Sequence, residues 1–402
     1  MHIVKCTLKY EVRFFQCLLK NHHVYRKFYA SGRSPTLKSN DIPKHPLNGK
    51  KIALFVLYSI IALLLFFTVL SMNDLSAIGE QLKTVDFRYV LLALLMVLLY
   101  LACYPLSLCI LTKARKCNIK MSTTYTIAMT EHFFNGITPL ATGGQPFQAH
   151  SFTKAKVKIS ESTGLLLTNL IIYMLVTTGF SFLGLFFFDT LISAAEPWWI
   201  PVIIIGYTLN FSMMMLMIFL GASTKLRNGL VRFIGFLCKF RMFRWLAPKA
   251  DGLKTYFEQV QEAFHDLTQK KWHCILAVVS KIISFAFLYS SSFFILLALD
   301  VPANASHHFL TMAGTSFALT AVGFLPTPGA SGGVEGSAGQ VFKSIIIFIS
   351  GESVLAASSA MANGVMLIWR LLSYYVVMLI SLMFYIGIEI YFAKKAKKAQ
   401  AN

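Results

Sequence analysis

The chain has 402 residues, 56% of them hydrophobic, 14% aromatic and only 13% charged, whereas a soluble domain carries roughly a quarter charged residues. Most of it must lie in lipid, and no soluble domain of ordinary size is left over. The formal net charge of +20 does not imply nucleic acid, because the position of such charge decides its meaning. Of the 37 Lys and Arg, 32 fall in five segments, 5–51, 113–120, 154–158, 225–271 and 394–398, the pattern of cytoplasmic loops between membrane spans.

Residues 1–50 carry charge throughout and lack an apolar core. They are read as a basic, partly amphipathic cytoplasmic arm on anionic lipid, not as a cleavable signal peptide. A bilayer crossing needs about 20 apolar residues, which predicts spans at about 52–70 and 89–111. The loop between them sets Asp74, Glu80 and Asp86 against Lys83 and Arg88, which suits the exterior. The next two basic segments, 113–120 and 154–158, are both cytoplasmic, so 121–152 must leave and return on one side. That stretch is too short for two full spans, and its second arm carries Gly143, Gly144, Gln145, Pro146, Gln148 and His150, which lipid would not tolerate. A re-entrant hairpin shielded by protein is expected.

Residues 162–188 then cross outward to a loop with Asp189, Glu196 and the interfacial pair Trp198-Trp199, and 201–221 cross back. The segment 222–271 holds ten basic and four acidic residues and is read as an amphipathic cytoplasmic connector along the headgroups. Residues 272–299 cross outward again. The stretch 309–350 has two arms broken by Pro326-Thr327-Pro328-Gly329-Ala330-Ser331-Gly332-Gly333, and both of its ends lie outside, because only one further span, 360–392, precedes the basic tail 394–402. The expected fold is therefore an all-α polytopic membrane protein, an inverted repeat of three spans plus one re-entrant hairpin in each half. The transmembrane domain covers 51–393, with halves at about 51–190 and 197–393. Both termini are expected to be cytoplasmic, in the plasma membrane.

The two hairpin tips repeat one motif. Thr138-Pro139-Leu140-Ala141-Thr142-Gly143-Gly144 matches Thr327-Pro328-Gly329-Ala330-Ser331-Gly332-Gly333 at five of seven positions, with Thr for Ser at a sixth. Inverted repeats whose interrupted helices converge at mid-membrane are the architecture of many secondary transporters. Pro after an apolar arm stops the helix, and a Gly-Gly pair lets the backbone turn and expose free N–H groups. Such amides attract anions, a phosphate headgroup among them. The competing reading is that the Gly pairs only let helices pack closely, the usual role of Gly in membrane helices.

Ionisable residues inside a bilayer are costly and are functional candidates. Here they are Glu131, His132, Lys281, Glu335, Lys343 and Arg370. Glu335 follows Gly333 by two residues, and its pairing with Arg370 is expected, with a purely structural ion pair as the competing role. If they pair, exchanging the two charges should restore function lost in either single variant. Glu131 and Lys343 are read as snorkelling toward an interface. The seven cysteines form no CxxC pair, no GK[ST] follows a glycine loop, and the pairs His22-His23 and His307-His308 have no further ligands nearby. No metal, cofactor or catalytic nucleophile is expected.

Three ordered motifs carry a resemblance: Asn135-Gly136-Ile137-Thr138-Pro139 through Gly143-Gly144, Phe324-Leu325-Pro326-Thr327-Pro328-Gly329 through Glu335, and Trp369-Arg370-Leu371-Leu372-Ser373-Tyr374. Over about 50–392 the chain resembles the lysylphosphatidylglycerol synthase transmembrane-region family, which includes the flippase half of the multiple peptide resistance factor. The resemblance implies translocation of an aminoacylated phosphatidylglycerol, or of another polar or polyprenyl lipid. In full-length relatives a cytoplasmic C-terminal domain transfers lysine from lysyl-tRNA to phosphatidylglycerol. This chain ends at Asn402, eight residues after Lys394, so that domain and its lysyltransferase activity are not expected. Where relatives often carry an acidic residue after the first Gly-Gly, this chain has Gln145, and Gln148 and His150 replace a basic residue.

Motif and resemblance together give the candidate lipid-binding residues Asn135, Thr138, Pro139, Gly143, Gly144, Gln145, Thr327, Pro328, Gly332, Gly333, Glu335 and Arg370. The expected partners are a phospholipid or other polar lipid within the membrane, a separate soluble lipid-modifying enzyme, and a second copy of the chain. Nucleic acid is not expected. Two other readings compete with a flippase: a lipid-modifying enzyme or its membrane subunit, and a non-transporting scaffold.

Overall fold

The computed structural model describes residues 85–223, scattered residues between 225 and 265, and residues 269–351 and 355–401. The arm 1–50, the expected span 52–70 and most of the connector 222–271 lie outside the described residues. Within them the chain is helical: α1 Phe87–Cys103, α2 Leu106–Ala114, α3 Met121–Ile137, α4 Gly144–Lys154, α5 Ile159–Leu185, α6 Phe188–Ile192, α7 Trp199–Ala222, α8 Lys271–Ala298, α9 Ala305–Val322, α10 Gly333–Ser350, α11 Leu355–Arg370 and α12 Val377–Ala401. Among the described residues, five helical stretches are long and apolar enough to cross a membrane: Phe87–Ala114, Glu161–Leu185, Trp199–Phe219, Lys271–Ala298 and Ser358–Lys395. They correspond to the expected spans at 89–111, 162–188, 201–221, 272–299 and 360–392. The chain is an all-α polytopic membrane protein.

The first of these spans is broken where the sequence requires it. Pro105 has no N–H to give Leu101, so a helix through it leaves carbonyls without partners, and lipid would not supply donors. Neighbouring helices do. Tyr125 of α3 donates to the Ala102 carbonyl at 3.2 Å, Ser280 of α8 to Cys103 at 3.2 Å, Lys281 of α8 to Tyr104 at 3.3 Å and Ser284 to Tyr100 at 3.4 Å. Accordingly α8 packs along α1 and α2. The opposite face of α1 presents exposed Phe87, Leu91, Leu95 and Leu98, a stripe at spacings of four and three suited to lipid.

The helices α3 and α4 make one hairpin, and α9 and α10 the other. Each rests on the last helix, which runs from Leu355 to Ala401 through a π-helical segment at Leu371–Val376. The second hairpin follows α11: Phe342 meets Trp369, and Glu335 meets Arg370. The first hairpin follows α12: the Phe133 amide donates to Ser381 Oγ at 2.9 Å, Tyr125 meets Phe384, and Lys154 pairs with Glu389 at 2.7 Å. The hairpins thus approach from the two ends of one helix, and their tips come together at its π segment. α3 packs on α12 and α9 packs on α5, so each hairpin leans its first arm on a helix distant in sequence.

Candidate functional site

Both tips fold into the same turn. In the first, Ala141 N donates to Thr138 O at 3.3 Å, Thr142 N to Pro139 O at 3.4 Å, and Thr142 Oγ1 to Pro139 O at 3.0 Å. In the second, Ala330 N donates to Thr327 O at 3.0 Å, Ser331 N to Pro328 O at 3.1 Å, and Ser331 Oγ to Pro328 O at 2.8 Å. The two central residues of each turn are left-handed, Leu140 and Ala141 at φ 57° and 51°, Gly329 and Ala330 at 59° and 51°. The tips also touch: an isolated antiparallel bridge sets Pro139 opposite Pro328.

Arg370 and Tyr374 hold this junction from the last helix. Arg370 Nε donates to Glu335 Oε1 at 2.9 Å, and its Nη2 to Gly329 O at 2.7 Å and Ser331 Oγ at 3.4 Å. The paired side chains are only 5% and 3% exposed, and the guanidinium carbon lies 4.0 Å from the centre of the Tyr374 ring. The Tyr374 hydroxyl crosses to the other hairpin and donates to Gly136 O at 2.8 Å. Its ring occupies the space beside Gly329, where a Cβ would stand 2.4 Å from it. A π turn adds one residue to a helix and is frequent at functional sites.

The glycine amides are not free to receive an anion. Gly143 N donates to Thr138 Oγ1 at 2.9 Å and Gly144 N to Asn135 Oδ1 at 2.8 Å. In the second tip, Gly332 N donates to Glu335 Oε2 at 2.6 Å and Gly333 N to Ala330 O at 3.2 Å. The protein supplies its own acceptors, so the expectation of an amide cradle at the Gly pairs is corrected. The Gly332 bond also changes what the Glu335 to Arg370 pair is. Each partner has further bonds that the other residue type could not make, so exchanging the charges would not preserve the site.

A second buried cluster lies one turn below the first tip. Glu131 does not reach for an interface, as expected from sequence, but is buried. Its Oε2 accepts from the Tyr104 hydroxyl at 3.1 Å and from Gln148 Nε2 at 3.4 Å. Lys281 Nζ, fully buried, sits 3.1 Å from the centre of the Tyr104 ring, and the His132 ring lies tilted against the same tyrosine with ring centres 4.3 Å apart. The break at Pro105 therefore does two things: it gives Lys281 a carbonyl and aims Tyr104 at Glu131. Lys343, by contrast, extends to Glu196 at 3.8 Å near the exposed loop, in keeping with an interfacial residue.

Most candidate residues from the sequence come together at the junction. Asn135 and Thr138 bind the amides of the first Gly pair, Pro139 and Pro328 face each other, Thr327 Oγ1 donates to Ser331 O at 2.9 Å, and Glu335 and Arg370 join the second tip to the last helix. Gln145 stands half-buried in the first turn of α4. Sequence reading missed Tyr374, Tyr104 and Gln148. Tyr374 lay inside a quoted motif, and Pro105 within an apolar span was the one signal that a neighbour must donate there.

A family model described as "Lysylphosphatidylglycerol synthase TM region" matches residues 52–381. The chain belongs to this family. Both tips, the Glu335 to Arg370 pair and the Glu131 cluster all lie inside the matched span of this lysylphosphatidylglycerol synthase TM-region protein. No curated protein matches the chain.

Proposed function

We propose that this family member binds the headgroup of a polar lipid at the junction of its two hairpin tips and moves the lipid between leaflets. The observation that carries the reading is the meeting of Pro139 with Pro328 against a π-helical segment preceded by a buried arginine. Non-helical backbone at membrane depth is tolerated where protein buries it or a cavity is lined by it. With Nε and Nη2 of Arg370 bound to protein, the guanidinium can meet a headgroup through Nη1, a donor that suits a phosphate oxygen such as that of a phosphatidylglycerol derivative or a polyprenyl phosphate. The shared turn of the two tips, and the way each hairpin leans on a helix distant in sequence, support an inverted repeat with halves at about 51–190 and 197–393. The clustering of basic residues supports cytoplasmic termini and a plasma-membrane location under this reading.

The test is leaflet exchange by purified full-length protein in liposomes of phosphatidylcholine and phosphatidylglycerol carrying fluorescent phosphatidylglycerol. Accelerated exchange is expected, and Gly144→Val or Gly333→Val should abolish it while membrane insertion persists. A Cβ at Gly144 would meet Asn135 Oδ1 at 2.6 Å, and one at Gly333 would meet Leu325 Cδ1 at 1.9 Å. Unchanged exchange relative to empty liposomes, across anionic and zwitterionic labelled lipids, overturns the reading.

A further inference from the structure

The Glu131 cluster differs from an ion pair that merely holds helices together. No ion pair joins Glu131 to Lys281 directly among the described residues; Tyr104 stands between them, giving its hydroxyl to the acid and its carbonyl to the amine. Both donors to the carboxylate converge on Oε2, which leaves Oε1 outside these bonds. Beside it, His132 Nε2 and Gln148 Oε1 are buried without a partner, although buried polar atoms are almost always satisfied. A structural cluster would gain by closing these bonds, whereas a site that changes its proton content must keep acceptors in reserve. The titratable groups around the acid are Tyr100 and Tyr104 of the first span, His132 of α3, Tyr173 of α5 and Lys281 of α8.

We infer that Glu131 is a proton-binding site whose loading is coupled to the position of the first hairpin tip. The proton comes from water, forms an O–H bond at Oε1 and neutralises the carboxylate; release returns it to water and restores the negative charge. Loading weakens the hydrogen bonds at Oε2, because a neutral acceptor binds its donors less strongly than a carboxylate does. Those bonds tie α3 to α4 through Gln148 and to the broken first span through Tyr104. The tip feels the change directly. The Glu131 Cγ would lie 2.8 Å from a Cβ on Gly144, and Asn135, one turn further along α3, accepts the Gly144 amide.

The inference rests on the translocation reading for its coupling, and its test separates the two. Infrared spectra of the purified full-length protein, titrated over pH, should show a protonated carboxyl band that disappears in Glu131→Gln and shifts in midpoint in Glu131→Asp. In the liposomes above, an imposed pH gradient should make inward and outward exchange of fluorescent phosphatidylglycerol unequal by several-fold in the wild type and equal in Glu131→Gln. Thermal unfolding of each variant in detergent excludes misfolding as the cause. If no titrating band is lost in Glu131→Gln, the proton site is overturned whatever the transport result. A band with exchange that ignores the gradient overturns the coupling. A band with no exchange in the wild type removes the translocation reading and the coupling with it.

Discussion

The two hairpins end in one motif with one turn geometry, yet they are anchored differently. The second tip is locked: Arg370, Glu335, Ser331 and the carbonyl of Gly329 form a closed set of bonds, and glycine occupies the first left-handed position. The first tip has no charge of its own. It is held by the neutral side chains of Asn135 and Thr138, it places Leu140 in the left-handed region where Gly329 stands in its counterpart, and its nearest acid, Glu131, lies one turn away in an open cluster. Left-handed backbone costs an L residue roughly 1–2 kcal/mol. The second tip is thus the more fully bonded of the two, and the first carries one more non-glycine residue in left-handed backbone.

The largest test of that contrast is Arg370→Met. It strands Glu335 in the interior, and removing one partner of a buried pair costs about 3–5 kcal/mol, read as a large fall in unfolding temperature in detergent together with lost lipid exchange. The swapped double variant Glu335→Arg/Arg370→Glu should not recover, because an arginine at 335 cannot accept the Gly332 amide and a glutamate at 370 cannot donate to Gly329 O. Recovery would mean that only charge, and not the closed bond set, holds the second tip. Next is Gly329→Leu, which gives the second tip the residue of the first. The Tyr374 ring already fills that space, so strain and overpacking together should cost about 3 kcal/mol.

Tyr374→Phe removes the hydrogen bond from Tyr374 to Gly136 O, beside the first tip, and should destabilise by about 1 kcal/mol, with a larger effect on exchange than on unfolding if the first tip is the moving part. Smallest is Leu140→Gly. Relief of left-handed strain outweighs the extra freedom of glycine in the unfolded chain, for a gain of about 0.5 kcal/mol, detectable as a small rise in unfolding temperature. A loss of stability instead would show that the exposed Leu140 packs on something that compensates its backbone.

Much of this organisation is legible in the chain itself, and the reasons are physical. Spans are visible because lipid demands long apolar helices; the first hairpin is read from the basic segments 113–120 and 154–158, which argue against a single crossing between them, and the second from the count of spans that follow it. The tip motif and the Glu335 to Arg370 pair follow from Gly and Pro placement and from the cost of charge in a bilayer. What could not be read is which acceptor each amide finds. Thr138 and Asn135 look like candidate ligands in sequence, but they reach back to the glycines beside them. Glu131, Tyr104 and Lys281 are separated by 27 and 177 residues, and only packing of α8 on the broken first span unites them. Composition carries no mark of the π segment either.

That segment has a consequence for phase. One added residue turns everything beyond it by about 100° relative to an uninterrupted α-helix. Without it, the side of the helix that presents Trp369 and Arg370 to one hairpin would continue past the other at the wrong azimuth. With it, Ser381, Tyr385 and Glu389, each four apart, line up on Met129, Phe133 and Lys154. Deleting a single residue between 371 and 376 would therefore turn the segment into ordinary α-helix and keep that stripe on its partners, whereas winding the unaltered sequence as α-helix would swing it away by about 100°.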